Sequence, residues 1–75
     1  MSRKKMSKIL SDLETQANRA YLSGSVPMML CQWRYAEKMA SQCDELHYRA
    51  LAKEARSIMR DLQICMASPP YRPSL

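Results

Sequence analysis

The sequence has 75 residues, a formal net charge of +5 and three cysteines. That length allows one small domain at most, whose core only just offsets the conformational entropy of folding. An odd number of cysteines without a C-x-x-C motif or a signal-peptide h-region argues against a disulfide scaffold, and no apolar run reaches the roughly 18 residues that cross a membrane. We therefore expect a cytoplasmic protein with reduced thiols and no membrane contact.

The composition predicts an all-α protein. A single glycine leaves few tight turns, and seven methionines suit helices and adaptable apolar contacts. Residues 1–5 carry a short basic cluster and are expected to be flexible. From Met6 onwards, apolar residues recur in a 4, 3, 4, 3 rhythm, which predicts an amphipathic helix over about residues 6–23.

A short turn is predicted at residues 24–27. Gly24 suits the left-handed position that ends a helix, and Pro27 suits the first turn of the next one. The following stretch, 28–66, contains no glycine or proline and predicts one long helix. Its heptad-like rhythm shifts in phase between Cys43 and Ala55, as in a stutter that unwinds a supercoil. The last residues, 67–75, are proline-rich and predict an extended tail.

The short turn predicts an antiparallel helical hairpin with a short first helix and a long second helix. The first helix is long enough to cover only the first half of the second. The predicted hairpin core is Leu10, Leu13, Ala17, Trp33, Ala36, Ala40, Cys43 and His47.

The second half of the long helix then keeps an apolar stripe that a monomer would leave exposed. We expect a second copy to cover it, giving a homodimer or tetramer in the form of a helical bundle. The predicted oligomer interface is Leu51, Ala55, Ile58, Met59, Leu62, Cys65 and Met66.

No catalytic or metal-binding constellation is recognisable. Cys43 and His47 lie four residues apart, but two ligands do not complete a zinc site, and a buried helix face provides no cleft for a Cys-His nucleophile. We expect no enzyme activity, no metal and no cofactor.

A basic row is the clearest polar pattern. Its members on the second half of the long helix fall within about 60° of one another, roughly opposite the apolar stripe, and two further cations extend it. A solvated face would explain the row, and contact with RNA, DNA or an acidic protein would explain it as well. The row is Arg34, Lys38, Arg49, Lys53, Arg56 and Arg60.

These features favour a small regulator that binds and inhibits or sequesters another protein, such as an antirepressor, inhibitor or adaptor whose target is a transcription factor or an enzyme. The basic row and the methionines Met28, Met39 and Met59 would contact the target. The alternatives are an RNA- or DNA-binding regulator that uses the basic row, and a structural subunit of a larger assembly. The predicted layout resembles that of small plasmid and phage regulators built as dimeric hairpins, in layout alone.

Overall fold

The computed structural model describes residues 1–67, which form three helices and no strand. The helices are α1 (Arg3–Ser23), α2 (Val26–Glu45) and α3 (Arg49–Ala67). The predicted all-α class is confirmed. Of the predicted tail at 67–75, all but Ala67 lies outside the described residues.

Two serines begin the first two helices. The Ser2 hydroxyl oxygen accepts the Lys5 backbone N–H at 3.1 Å, so α1 begins at Arg3 and includes residues that were expected to be flexible. The Ser25 hydroxyl oxygen accepts the Met28 backbone N–H at 3.3 Å and begins α2. Each bond satisfies an N–H group that has no partner inside its helix.

Gly24 ends α1. Its φ is 66°, and its N–H donates to the carbonyl oxygens of Ala20 and Tyr21 at 3.0 and 3.2 Å. The only glycine of the sequence therefore occupies a left-handed position, where a Cβ would be strained.

The prediction of a short helix followed by one long helix is wrong. The chain leaves α2 at Glu45 and reverses over residues 46–48 before α3 begins. The three helices have similar lengths of 21, 20 and 19 residues.

His47 makes the reversal with a φ of 62°. Its N–H donates to the Asp44 carbonyl at 3.1 Å, and the Tyr48 N–H donates to the Cys43 carbonyl at 2.8 Å. These two bonds form a Schellman motif, whose left-handed position usually holds glycine. The phase shift that we interpreted as a stutter coincides with this reversal, so it marked a change of chain direction and not a change of supercoil.

Apolar burial explains why a histidine accepts this conformation. Leu51, Ile58 and Leu62 of α3 are only 7 %, 5 % and 0 % exposed. Burying each such side chain contributes about 1.5–3 kcal/mol, whereas one non-glycine residue in the left-handed region costs about 1–2 kcal/mol. The reversal is therefore favourable even without a glycine.

Replacing His47 with glycine should stabilise the fold by about 1 kcal/mol, because glycine adopts a positive φ without the strain that a Cβ causes and the exposed imidazole makes no buried contact that would be lost. Thermal unfolding followed by circular dichroism should show a melting temperature about 4–8 °C higher. Leu46→Gly is the matched control: Leu46 has a right-handed φ of −88°, so glycine relieves no strain there, and the loss of a partly buried side chain together with the greater entropy of the unfolded chain should destabilise the fold. A destabilised His47→Gly variant would contradict the left-handed conformation of His47.

The helices α1 and α3 run in the same direction, and α2 is antiparallel to both. The Tyr48 hydroxyl donates to the Met1 carbonyl at 2.8 Å, which places the start of α1 beside the start of α3. Further along, Ala17 and Tyr21 of α1 line the same cleft as Ile58 of α3. The most extensive contact joins α2 to α3, and α1 packs on both.

One buried cluster joins all three helices. It includes six of the predicted hairpin-core residues, namely Leu10, Leu13, Ala17, Ala36, Ala40 and Cys43. Trp33 is half-buried against it. His47 was also predicted in the core, but it is exposed because the chain has already left α2 at that position.

Candidate interaction surfaces

The apolar stripe of α3 packs inside the chain. Leu51, Ala55, Ile58 and Leu62 belong to the buried cluster. Met59, Cys65 and Met66 are half-buried against it. The stripe that was assigned to an oligomer interface is thus covered by α1 and α2, and the reason for a second copy at this surface no longer holds.

The three methionines assigned to a partner have different environments. Met28 is exposed near the start of α2, and Met59 is half-buried. Met39 belongs to the buried cluster at 4 % exposure, so its assignment as a partner contact is wrong. A continuous methionine surface is therefore absent from residues 1–67.

All six residues of the predicted basic row are exposed: Arg34, Lys38, Arg49, Lys53, Arg56 and Arg60. They come from two different helices, because the reversal separates Arg34 and Lys38 from the other four. The row is therefore not one continuous line along a single helix.

Arg56 is held by Asp44 across the reversal. Its guanidinium donates to both carboxylate oxygens, with Nη1 at 3.2 Å from Oδ1 and Nη2 bound to Oδ2. The hydrogen bond from Arg56 lowers the pKa of Asp44, and the same bond raises the pKa of Arg56. This bidentate pair links α2 to α3 and leaves Arg56 less available to a partner than its neighbours.

A basic end is formed where α1 and α3 begin. The hydrogen bond between Tyr48 and the Met1 carbonyl brings the two helix starts together. The basic end consists of five exposed cations, Arg3, Lys4, Lys5, Arg49 and Lys53. Three of them belong to the segment that was expected to be flexible.

An apolar tip is formed at the opposite end, around the connection between α1 and α2. Leu22 is 90 % exposed, and Val26, Met28 and Leu30 are 44 %, 40 % and 40 % exposed. The hydroxyl of Ser23 donates to the Met28 sulfur at 3.7 Å, which holds that side chain against the end of α1. These four residues, Leu22, Val26, Met28 and Leu30, are called the apolar tip below.

A polar cleft of about 180 Å³ lies between α1 and α3. Burial, followed by the charges of Cys65, Asp61 and Glu14, raises the pKa of Tyr21 to about 12. A phenol with so high a pKa stays protonated at neutral pH and is a poor general base. The cleft is lined by Glu14, Ala17, Asn18, Tyr21, Ile58 and Asp61.

The cysteine and histidine that lie four residues apart do not form a site. Cys43 is buried, and burial raises the pKa of its thiol, whereas His47 is exposed beyond the end of α2. Within residues 1–67, no three His, Cys, Asp or Glu side chains are grouped so that they could hold a metal ion.

One further observation concerns the described helices, and the comparisons with known proteins concern the chain. Across the described helices, none combines the length and apolar character that crossing a membrane requires. No protein family model matches the chain, and no curated protein or solved structure shows a significant match to it.

Sequence reasoning missed both the basic end and the apolar tip. The helical rhythm places Leu22 about 160° from Met6, on the outer side of α1. The exposure of Leu22 could therefore have been predicted from the sequence. The basic end could not have been predicted from the helical rhythm, because it depends on the reversal at His47 and on the hydrogen bond from Tyr48 to Met1.

Proposed function

We propose that this chain is a small non-enzymatic regulator that binds another protein through the apolar tip and thereby inhibits or sequesters it. The observation that carries the proposal is Leu22, a large apolar side chain at 90 % exposure, at the end of the bundle where Val26, Met28 and Leu30 are also exposed. Apolar side chains grouped at one place on a surface are typical of a binding site, whereas scattered ones need no explanation.

The tip is also well suited to binding because its backbone is held. Gly24 closes α1 with two hydrogen bonds, and Ser25 begins α2 with a side-chain hydrogen bond. The side chains of Leu22 and Val26 therefore project from fixed helix ends, and little backbone entropy is lost on binding. Apolar anchors of this kind carry most of the binding free energy in many protein interfaces.

The predicted stripe of α3 packs inside the chain, so the expected homo-oligomer would need another apolar surface, and the apolar tip is one. A heterologous target is favoured because the tip is small, and a stable homodimer needs a larger and more continuous apolar face. A transcription regulator is one class of target that such an inhibitor would sequester.

Capture from extracts of the native cell tests the proposal, with nuclease treatment to remove nucleic-acid bridges. The full chain should retain a protein in stoichiometric amount. The purified target should then bind Leu22→Asp about 10- to 100-fold more weakly, because a carboxylate would replace an apolar anchor. Isothermal calorimetry of the purified pair measures the loss.

Tyr35→Asp is the matched control, since Tyr35 is an exposed aromatic residue of α2 outside the tip. It should bind the target as the unchanged chain does. Equal weakening by both variants, or none by Leu22→Asp, would refute the tip as the binding surface. Sedimentation of the purified chain tests whether the tip binds a second copy instead. A mass above 8.7 kDa for the unchanged chain and of 8.7 kDa for Leu22→Asp would show self-association through the tip and contradict a heterologous target.

A further inference from the structure

The basic end collects cations from two segments that are far apart in sequence. Arg3, Lys4 and Lys5 lie in the first turn of α1, and Arg49 begins α3. The hydrogen bond from the Tyr48 hydroxyl to the Met1 carbonyl, 47 residues apart, holds the two segments together. Neither first turn contains an acidic residue.

We propose that the basic end binds the phosphate backbone of double-stranded DNA without reading its sequence. This inference goes beyond the protein-binding function proposed for the apolar tip, which lies at the opposite end of the bundle. It also uses a different set of cations from the basic row, because Arg56 is engaged by Asp44 and Arg3, Lys4 and Lys5 are added.

The charge balance of this end supports a polyanion as its partner. Asp44 is bound by Arg56, and among residues 1–67 the other carboxylates at the adjoining helix ends are those of Glu45 and Glu54. The excess is therefore positive and exposed. Lysine and arginine side chains on a surface of this kind neutralise phosphates and release counterions, which is the main source of sequence-independent affinity for DNA.

The side chains of the basic end favour a duplex over a single strand. Single strands are bound largely by stacking of bases on exposed aromatic rings. Within residues 1–67, the aromatic residue nearest the basic end is Tyr48, which is half-buried against the core and whose hydroxyl donates to the Met1 carbonyl. Among residues 1–67 the basic end therefore offers cations without an exposed aromatic ring for stacking, which suits the outside of a duplex.

Fluorescence anisotropy with a DNA duplex of random sequence tests the proposal at several salt concentrations. Five phosphate contacts predict a slope of log affinity against log salt of about −4.5, so a four-fold increase in salt should weaken binding about 500-fold. The variant Lys4→Gln/Arg49→Gln removes one cation from each helix. Its slope should fall to about −2.7, and the same salt increase should weaken its binding only about 40-fold.

Arg19→Gln/Arg34→Gln is the matched control, because it removes two exposed cations away from the basic end and has the same net charge. It should keep the slope of about −4.5, which separates a located surface from a general effect of net charge. Equal slopes for the two double variants, or no binding of DNA at low salt, would overturn the proposal. Tighter binding of duplex RNA or of polyglutamate than of DNA would overturn DNA as the partner.

The variant Leu22→Asp distinguishes the DNA-binding proposal from the protein-binding proposal. Leu22→Asp should bind DNA with the slope of the unchanged chain, since Leu22 lies at the other end of the bundle. Loss of DNA binding in this variant would contradict the separation of the two surfaces. Failure to find a protein target would leave the DNA result unaffected.

Discussion

Leu62→Asp is expected to unfold the chain and not to dissociate an oligomer. Leu62 is 0 % exposed in the cluster shared by all three helices, so aspartate would place an unpaired carboxylate in the core and remove an apolar side chain. The loss should exceed about 4 kcal/mol. A domain of this size has about 3–10 kcal/mol of stability in total, so the helical circular dichroism signal should largely disappear at 25 °C.

Ile64→Asp provides the matched control two residues further along α3. Ile64 is 58 % exposed, and the same carboxylate there should change the free energy of unfolding by no more than about 0.5 kcal/mol. Urea unfolding and sedimentation should be measured on both variants. A Leu62→Asp variant that keeps its helical signal while its mass falls would restore the oligomer interface that was predicted for this stripe.

Ala55→Leu is expected to destabilise the fold by about 1–3 kcal/mol through overpacking. Ala55 is fully buried on α3, in the cluster that also holds Ala36 and Ala40 of α2, and these two helices share the most extensive contact. Small side chains at such positions let helix backbones approach closely, so a leucine must push the helices apart or adopt a strained rotamer. Urea unfolding measures the loss.

Ala50→Leu tests whether the loss comes from packing. Ala50 is exposed on the same helix, and leucine is nearly as good a helix former as alanine, so the change there should stay within about 0.5 kcal/mol. Comparable losses at both positions would indicate an effect on helix formation. No loss at Ala55 would mean that α3 does not pack closely at this position.

The sequence predicted the apolar faces better than it predicted the chain path. The stripes around Leu10 and Ala36 are buried in the structure, because a helical rhythm reports which side of a helix is apolar. The rhythm does not report where a helix ends when no glycine or proline marks the end. At His47 the stabilisation came from long-range burial of α3, which a search for local signals could not detect.

The undetected end of α2 also explains why the surfaces predicted from the sequence differ from those in the structure. With one long helix, the stripe containing Ile58 had no cover, so a second copy was needed to bury it. With three helices, that stripe is internal and Leu22 becomes the notable exposed apolar residue. Arg56 likewise was expected to be free, because its distance from Asp44 in a straight helix would have been about 18 Å. The reversal brings the two side chains into contact.

The reversal at His47 also gives the three-helix bundle a net helix dipole. Peptide dipoles of two antiparallel helices cancel, but α1 and α3 point the same way and only α2 opposes them. About one helix dipole therefore remains, equivalent to roughly half a positive charge at the end where α1 and α3 begin. That pole coincides with Arg3, Lys4, Lys5, Arg49 and Lys53, so backbone and side chains reinforce each other. The electrostatic field of a negatively charged partner would therefore orient the protein so that the basic end approaches it and Leu22 faces away.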